Sequence, residues 1–384
     1  MRFEFSTASQ IVFGPGTLAE AGKLAKVWGR RAVVIVGKRP QRAQRVLDLL
    51  EENRVVTSTV AVVQEPTVDD VVSGAAAARR FGAEMVIGVG GGSVMDGAKA
   101  ISALMTNEDS VFDYLEVVGK GQPFELPPAP WMAVPTTSGT GAEVTKNAVL
   151  RVPERGVKVS LRSPYLFARV ALVDPELTLD MAPALTTSTG LDAISQLIEA
   201  YTSSRANPTC DALCAAGISK AVRALPEAVR DPKSLQARID LSLAGLWSGI
   251  ALANAGLGAV HGLAAPIGGQ YRAAHGAVCG ALLAPVMEMN ISALRSRGAD
   301  HPALGRYADV ARWVTGHTDA TPEDGAAWIR QFVGSLGNPR LSALKITNDK
   351  FTEIAAKAAE ASSMKANPIA LTADELCQVL TNSY

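Results

Sequence analysis

The stretch EMVIGVGGGSVMDGAKAIS, residues 84–102, decides the fold. Its apolar, β-branched opening reads as a strand buried in a parallel sheet. It runs without interruption into Gly90, Gly91 and Gly92, and from Ser93 the chain reads as a helix. A strand that ends in glycines and opens a helix leaves bare backbone N–H groups, and the positive end of a helix dipole, where a phosphate can sit. Ser93 adds a hydroxyl to that cradle or caps the helix. The spacing is neither a G-x-G-x-x-G fingerprint nor a P-loop, because Lys99 stands a helical turn too late. A plain tight turn is the alternative reading.

On either side, AVVIVG (32–37), WMAVPTT (131–137) and RVALVDP (169–175) read as further strands, with helices over 41–52 and 68–82. Strands alternating with helices predict a doubly wound parallel sheet, and ligands of such sheets lie at the carboxyl ends of the strands. There PTTSGTGAEVT, residues 135–145, supplies Thr136, Thr137, Ser138 and Thr140 beside two glycines. Singly it is a Ser/Thr-rich loop capping a helix. Together with the glycine turn, it points to one ligand lying across the sheet's edge. The strand 32–36 ends in Gly37, Lys38, Arg39 and Arg42. Basic residues suit a ribose 2′-phosphate where an acid would suit a 2′-hydroxyl, which tilts the ligand towards NADP(H). Solvated surface charge is the other explanation.

Beyond Pro183 the pattern becomes helix after helix, with Leu, Ala and Ile three to four apart. The expected division is 1–180, a dinucleotide-binding α/β domain, and 181–384, an all-helical domain, since 384 residues suit two cores. Hydrophobic residues make up 48% and charged residues 19%, which excludes a disordered chain. Basic and acidic residues balance at 37 each, so neither nucleic acid nor a membrane is expected as partner, and a small molecule is. Cys210, Cys214, Cys279 and Cys377 show neither a disulfide framework nor metal-knuckle spacing. Cys210 and Cys214 read as core residues, as suits a reducing compartment. The opening MRFEFSTASQIVFG resembles neither a signal nor a transit peptide, so a cytoplasmic location is expected. Residues 241–271 lack Asp, Glu, Lys and Arg, but Asn254, His261, Pro266 and many glycines break the run. A buried helix of a large domain is predicted there, not a membrane span.

Of the four histidines, His301 and His317 lie in polar segments, whereas His261 and His275 flank a glycine-rich bend. In TGLDAISQLIEAY, residues 189–201, Asp192 and Gln196 stand four apart and project from one helical face. Two histidines, an aspartate and an amide on apolar segments point to a metal site, against the alternative of satisfied core residues.

These motifs, with IVFGPGTL, GGGSVMDGAKA, ALVDPELT and the segment from His261 to His275, resemble the iron-containing (group III) alcohol dehydrogenase family. Maleylacetate reductases belong to it, and glycerol dehydrogenase and dehydroquinate synthase are related. The resemblance implies an N-terminal Rossmann-like α/β domain, a C-terminal helical domain of the dehydroquinate synthase-like kind, and a cleft between them. It also implies an NAD(P)-dependent oxidoreductase acting on a small alcohol, aldehyde or keto acid, and a homodimer or higher oligomer. The cofactor would lie against Gly37, Lys38, Gly91, Gly92, Ser93, Asp96, Thr136, Thr137 and Thr140. The resemblance places Lys158 near the cofactor phosphates or the cleft, where it could support a developing alkoxide, or else it is a surface lysine on a hairpin. The metal, iron or zinc, would be held at the positions of Asp192, Gln196, His261 and His275. Gln196 stands where the family has a third histidine ligand, and Ala265 where it has a further histidine assigned to proton transfer. A weakened or zinc-preferring site is the leading expectation, with Asp192, His261 and His275 carrying most of the affinity and Gln196 a weaker oxygen donor, and an empty site next. Arg272 is a candidate clamp for an acidic substrate. A metal-free reductase of the same fold, a dehydroquinate synthase-like lyase using NAD internally and a nucleotide-binding protein without chemistry are the rival readings.

Overall fold

The computed structural model describes residues 2–298 and 300–384. Eight strands are named in chain order: β1 (Gln10–Phe13), β2 (Arg31–Val36), β3 (Val56–Ala61), β4 (Met85–Gly90), β5 (Trp131–Pro135), β6 (Asn147–Val152), β7 (Val157–Arg162) and β8 (Val170–Val173). Among the described residues, six of them form one sheet in the order β1-β8-β5-β4-β2-β3. All its pairings are parallel, with Val34 opposite Ile87 and Ile87 opposite Met132 at the centre. β4 and β5 are buried throughout, as their unbroken apolar runs require. β6 and β7 make a separate antiparallel hairpin. The sequence pattern does not announce β1 and β3, which are the two edges of the sheet.

From β2 the chain steps outward to β3 and then returns past β2 to β4. The winding therefore reverses between β2 and β4, and the crevice at such a reversal is where open α/β sheets bind ligands. Gly37 and the Gly90–Gly92 turn both follow strands that end there.

After residue 180 the chain is helical, including Pro183–Thr202, Pro208–Arg230, Leu235–Ala255, Ala259–Gln270 and His275–Arg297. The first of these is buried on almost every side, polar residues included. The uncharged run 241–271 forms two helices meeting at a bend of 99°, where Gly256 takes a left-handed φ of 72°. His275–Arg297 is long and apolar enough to cross a membrane by composition, but it is mostly buried inside the helical core. Cys210 and Cys214 are core residues, as expected.

The chain divides into two compact units. One holds residues 6–137 and 141–179; the other holds 180–384 together with 2–5 and Ser138–Thr140. The division expected at 180 thus differs by two short segments. The loop residues 138–140 pack on helices: a Cβ at Gly139 would lie 2.7 Å from Thr189, and one at Gly245 would lie 2.9 Å from Gly139 N.

Candidate active site

Because the helix Pro183–Thr202 is buried, its polar residues need partners. Asp192, Gln196 and Glu199 stand at i, i+4 and i+7, on one face. His261 lies in the first turn of Ala259–Gln270, and His275 opens His275–Arg297 with Cys279 one turn further on. Gly276 allows that opening turn to touch the buried helix, since a Cβ there would stand 2.0 Å from Ser188 O.

One ligand atom from each of Asp192, His261, His275 and Cys279 lies within 4.8 Å of all the others. Asp192 Oδ1 is 3.2 Å from His261 Nε2 and 3.7 Å from His275 Nε2. Cys279 Sγ is 3.8 Å from His261 Nε2 and 3.6 Å from His275 Nε2. On the far side of the His261 ring, Nδ1 is 2.5 Å from Glu199 Oε2, and Glu199 Oε1 accepts from Val260 N–H at 2.7 Å. Glu199 thereby selects Nδ1 as the protonated nitrogen and leaves Nε2 for the cluster. Gln196 Oε1 accepts from the Ser248 hydroxyl at 2.9 Å. The His275 side chain is 44% exposed whereas Asp192 and His261 are buried, so the cluster is reached from the His275 side.

Burial alone would raise the Asp192 carboxyl, yet His275 and His261 hold it below its ordinary range. Burial likewise opposes the Cys279 thiolate, and the same two imidazoles bring that thiol down. Cys279 and Asp192 in turn push His275 up to about 9 against its own desolvation. Despite burial, His261 is raised by Cys279, Glu199 and Asp192. The carboxylate and thiol on one side and the imidazoles on the other thus each favour the charged form of the other. A divalent cation gives the same balance by displacing protons, and one oxygen, two imidazole nitrogens and one sulfur are donors that fit it.

Of the four metal candidates from the sequence, Asp192, His261 and His275 converge, while Gln196 shares the helix face with its carbonyl oxygen engaged by Ser248. Cys279 and Glu199 are the residues that sequence reasoning missed. Their spacing was the available signal: four after His275, and seven after Asp192. Ala265 is exposed, as are His301 and His317.

In the sheet unit, Gly91 caps the helix Gly92–Thr106 without a side-chain bond, so Ser93 lies inside the first turn and is not the cap. A Cβ at Gly90 would meet Val94 at 2.5 Å. The Thr136 N–H donates to Gly90 O at 2.9 Å, joining the two loops that follow β4 and β5. Thr137 Oγ1 flanks Gly91, Gly37 abuts Val94 of the same turn, and Lys38 and Arg39 are exposed beyond it. Thr140 belongs to the helical unit. Asp96 and Lys99 lie under the turn. Lys99, fully buried, donates to Thr145 Oγ1 at 2.7 Å and Asn147 O at 2.8 Å, and stands 3.8 Å from Asp96. Burial pushes Asp96 up to about 6 and Lys99 down to about 8. Lys158, on β7, is paired with Glu65 at 2.5 Å.

Comparison with known proteins covers nearly the whole chain. The family described as iron-containing alcohol dehydrogenase matches residues 8–175, and the C-terminal part of the same family matches residues 186–384. Long-chain-alcohol dehydrogenase 1 of Geobacillus thermodenitrificans is 39% identical over 280 residues, 73% of this chain and 69% of the relative. The solved alcohol dehydrogenase from Oenococcus oeni superposes with a TM-score of 0.92 at 30% identity, over 100% of both chains. The sulfoacetaldehyde reductase from Bifidobacterium kashiwanohense, solved in complex with NAD+, gives 0.88 at 28% identity over 100% of this chain and 99% of that one.

Proposed function

Because this chain belongs to the iron-containing alcohol dehydrogenase family, we propose that it is a metal-assisted NAD(P)-dependent oxidoreductase. It moves a hydride between the nicotinamide and the carbinol or carbonyl carbon of a small alcohol or aldehyde. The observation that carries the reading is the convergence of Asp192, His261, His275 and Cys279 within 4.8 Å, buried except at His275. The names of the relatives, two alcohol dehydrogenases and an aldehyde reductase solved with NAD+, support the reaction class.

The bare N–H groups of the Gly91–Gly92 turn and the start of the following helix bind the cofactor's pyrophosphate, beside Thr137. Lys38 and Arg39, at the carboxyl end of β2, receive a 2′-phosphate and favour NADP(H). Asp192, His261 and His275 hold a divalent ion, which when bound supplies Lewis acidity to the substrate oxygen. Oxidation releases a hydride from the carbinol carbon to the nicotinamide and a proton from the hydroxyl. Ala265 has no group to take that proton, so it passes to water. Arg272, exposed three residues before His275, offers a guanidinium to an acidic substrate tail.

The test is metal analysis of chelator-free protein together with NADPH and NADH oxidation against small aldehydes and keto acids. We expect one divalent ion per chain, activity lost on chelation and restored by a single metal, and faster turnover with NADPH. Full turnover by metal-free protein would refute the metal's role, equal rates with NADH would retire that of Lys38 and Arg39, and no net NAD(P)H change with any substrate would favour a lyase.

A further inference from the structure

We propose that Cys279 is a metal ligand, taking the fourth place that Gln196 leaves without imidazole and making the centre a tetrahedral Asp192–His261–His275–Cys279 set that selects zinc over iron. This rests on the reading that the centre holds a divalent ion.

The distances decide the geometry. With metal–nitrogen and metal–oxygen bonds of about 2.0–2.1 Å and a metal–sulfur bond of about 2.3 Å, tetrahedral angles put neighbouring N and O donors about 3.3 Å apart and N and S about 3.6 Å apart. Right-angled octahedral edges from the same bonds would be shorter, about 2.9 and 3.1 Å. The cluster has 3.2 and 3.7 Å for its two oxygen–nitrogen edges and 3.8 and 3.6 Å for its two sulfur–nitrogen edges. Three of the four exceed the octahedral figure by half an ångström or more. These four edges match a tetrahedral set better than an octahedral one, with Sγ at its own longer radius.

The placement comes from sequence. His275 and Cys279 are one helical turn apart, so the side chain of Cys279 lies alongside that of His275 on the same face. Gln196, by contrast, has its carbonyl oxygen bonded by Ser248 at 2.9 Å. A neutral amide is a weak donor even when free, and exchanging an imidazole for a thiolate moves the set toward softer metals. Zinc accepts two imidazoles, a carboxylate and a thiolate, and can expand to five ligands. The exposed flank at His275 leaves access for a substrate oxygen as the fifth.

The experiment is to strip the full-length protein with a chelator, load it anaerobically with cobalt(II), and record its absorption spectrum alongside Cys279→Ser and Gln196→Ala variants. Expected are one cobalt per chain with intense tetrahedral d–d bands and a near-ultraviolet thiolate-to-cobalt charge-transfer band. Cys279→Ser should lose the charge-transfer band, and its affinity should fall by more than the roughly 10–100-fold typical of an outer-shell partner. Gln196→Ala should keep the band. One bound cobalt with no thiolate band in the unmutated protein overturns the proposal and spares the metal reading, and that spectrum decides even if the variant fails to fold. A band that survives in Cys279→Ser also overturns it. Failure of cobalt and zinc to bind at all overturns both this proposal and the reading beneath it.

Discussion

Glu199 grips His261 by the nitrogen that faces away from the other donors. Nδ1 stands 2.5 Å from one carboxylate oxygen while Val260 N–H holds the other at 2.7 Å, so the ring cannot turn over without leaving a buried carboxylate short of a donor. Glu199→Gln keeps the shape and an acceptor but removes the charge that makes His261 a stronger base. Metal affinity, read by competition with a chromophoric chelator, should fall about 10–100-fold with the helical signal unchanged; equal affinities would leave Glu199 a packing residue only. The sequence makes Asp192, His261 and His275 legible because each interrupts an apolar segment. Cys279 hides because cysteine reads as one more small apolar residue in the run after His275. A glutamate two turns beyond Asp192 passes for solvated until its helix is seen to be buried.

At the scale of elements, β2 and β4 are plain in the sequence because strands covered on both faces are apolar without interruption. β3 is not, since VTSTVA lies on an edge and is only partly buried. Nor does the sequence reveal how the helix Gly92–Thr106 is fastened. Its Lys99, in a run that reads as ordinary amphipathic helix, reaches Thr145 and the start of β6 inside the core, near the buried Glu143. Burial pushes Glu143 from 4.5 up to about 7, against a backbone hydrogen bond and the charge of Lys99. The folded protein therefore keeps a proton that the unfolded chain releases between those values. This group's contribution to stability is complete below about pH 4.5 and lost as pH rises through about 7. Asp96, raised to about 6, acts in the same direction. The unfolding free energy from urea titrations should decline from about pH 5 to 7.5, by no more than about 3 kcal/mol from Glu143. Glu143→Gln should flatten most of that decline; an unchanged slope in the variant would show that the carboxyl does not titrate there.

At the scale of the whole molecule, each unit carries one half of the proposed chemistry on its own core. The glycine turn proposed to bind phosphate is built from β4, β5 and the helix Gly92–Thr106, and every member of the Asp192–His261–His275–Cys279 cluster comes from helices after residue 180. The change of pattern near Pro183 makes that division legible, whereas the membership of residues 138–140 in the helical unit depends on contacts of Gly139 with Thr189 and Gly245, which no local pattern encodes. Two ligands on two cores imply two separable stabilisations, each growing as RT ln(1 + [L]/Kd), or about 2.7 kcal/mol at a hundredfold excess over Kd. Hydrogen exchange reads them apart. Removing metal should speed exchange in Pro183–Thr202, Ala259–Gln270 and the first turns of His275–Arg297, and leave β2, β4 and β5 as they were. Adding NADPH to the metal-free chain should slow exchange around Gly91–Ser93 and Thr136–Thr137 without restoring those helices. If chelation loosens the sheet as much as the helices, the two units unfold as one, and the metal stabilises the whole chain rather than the cluster that holds it.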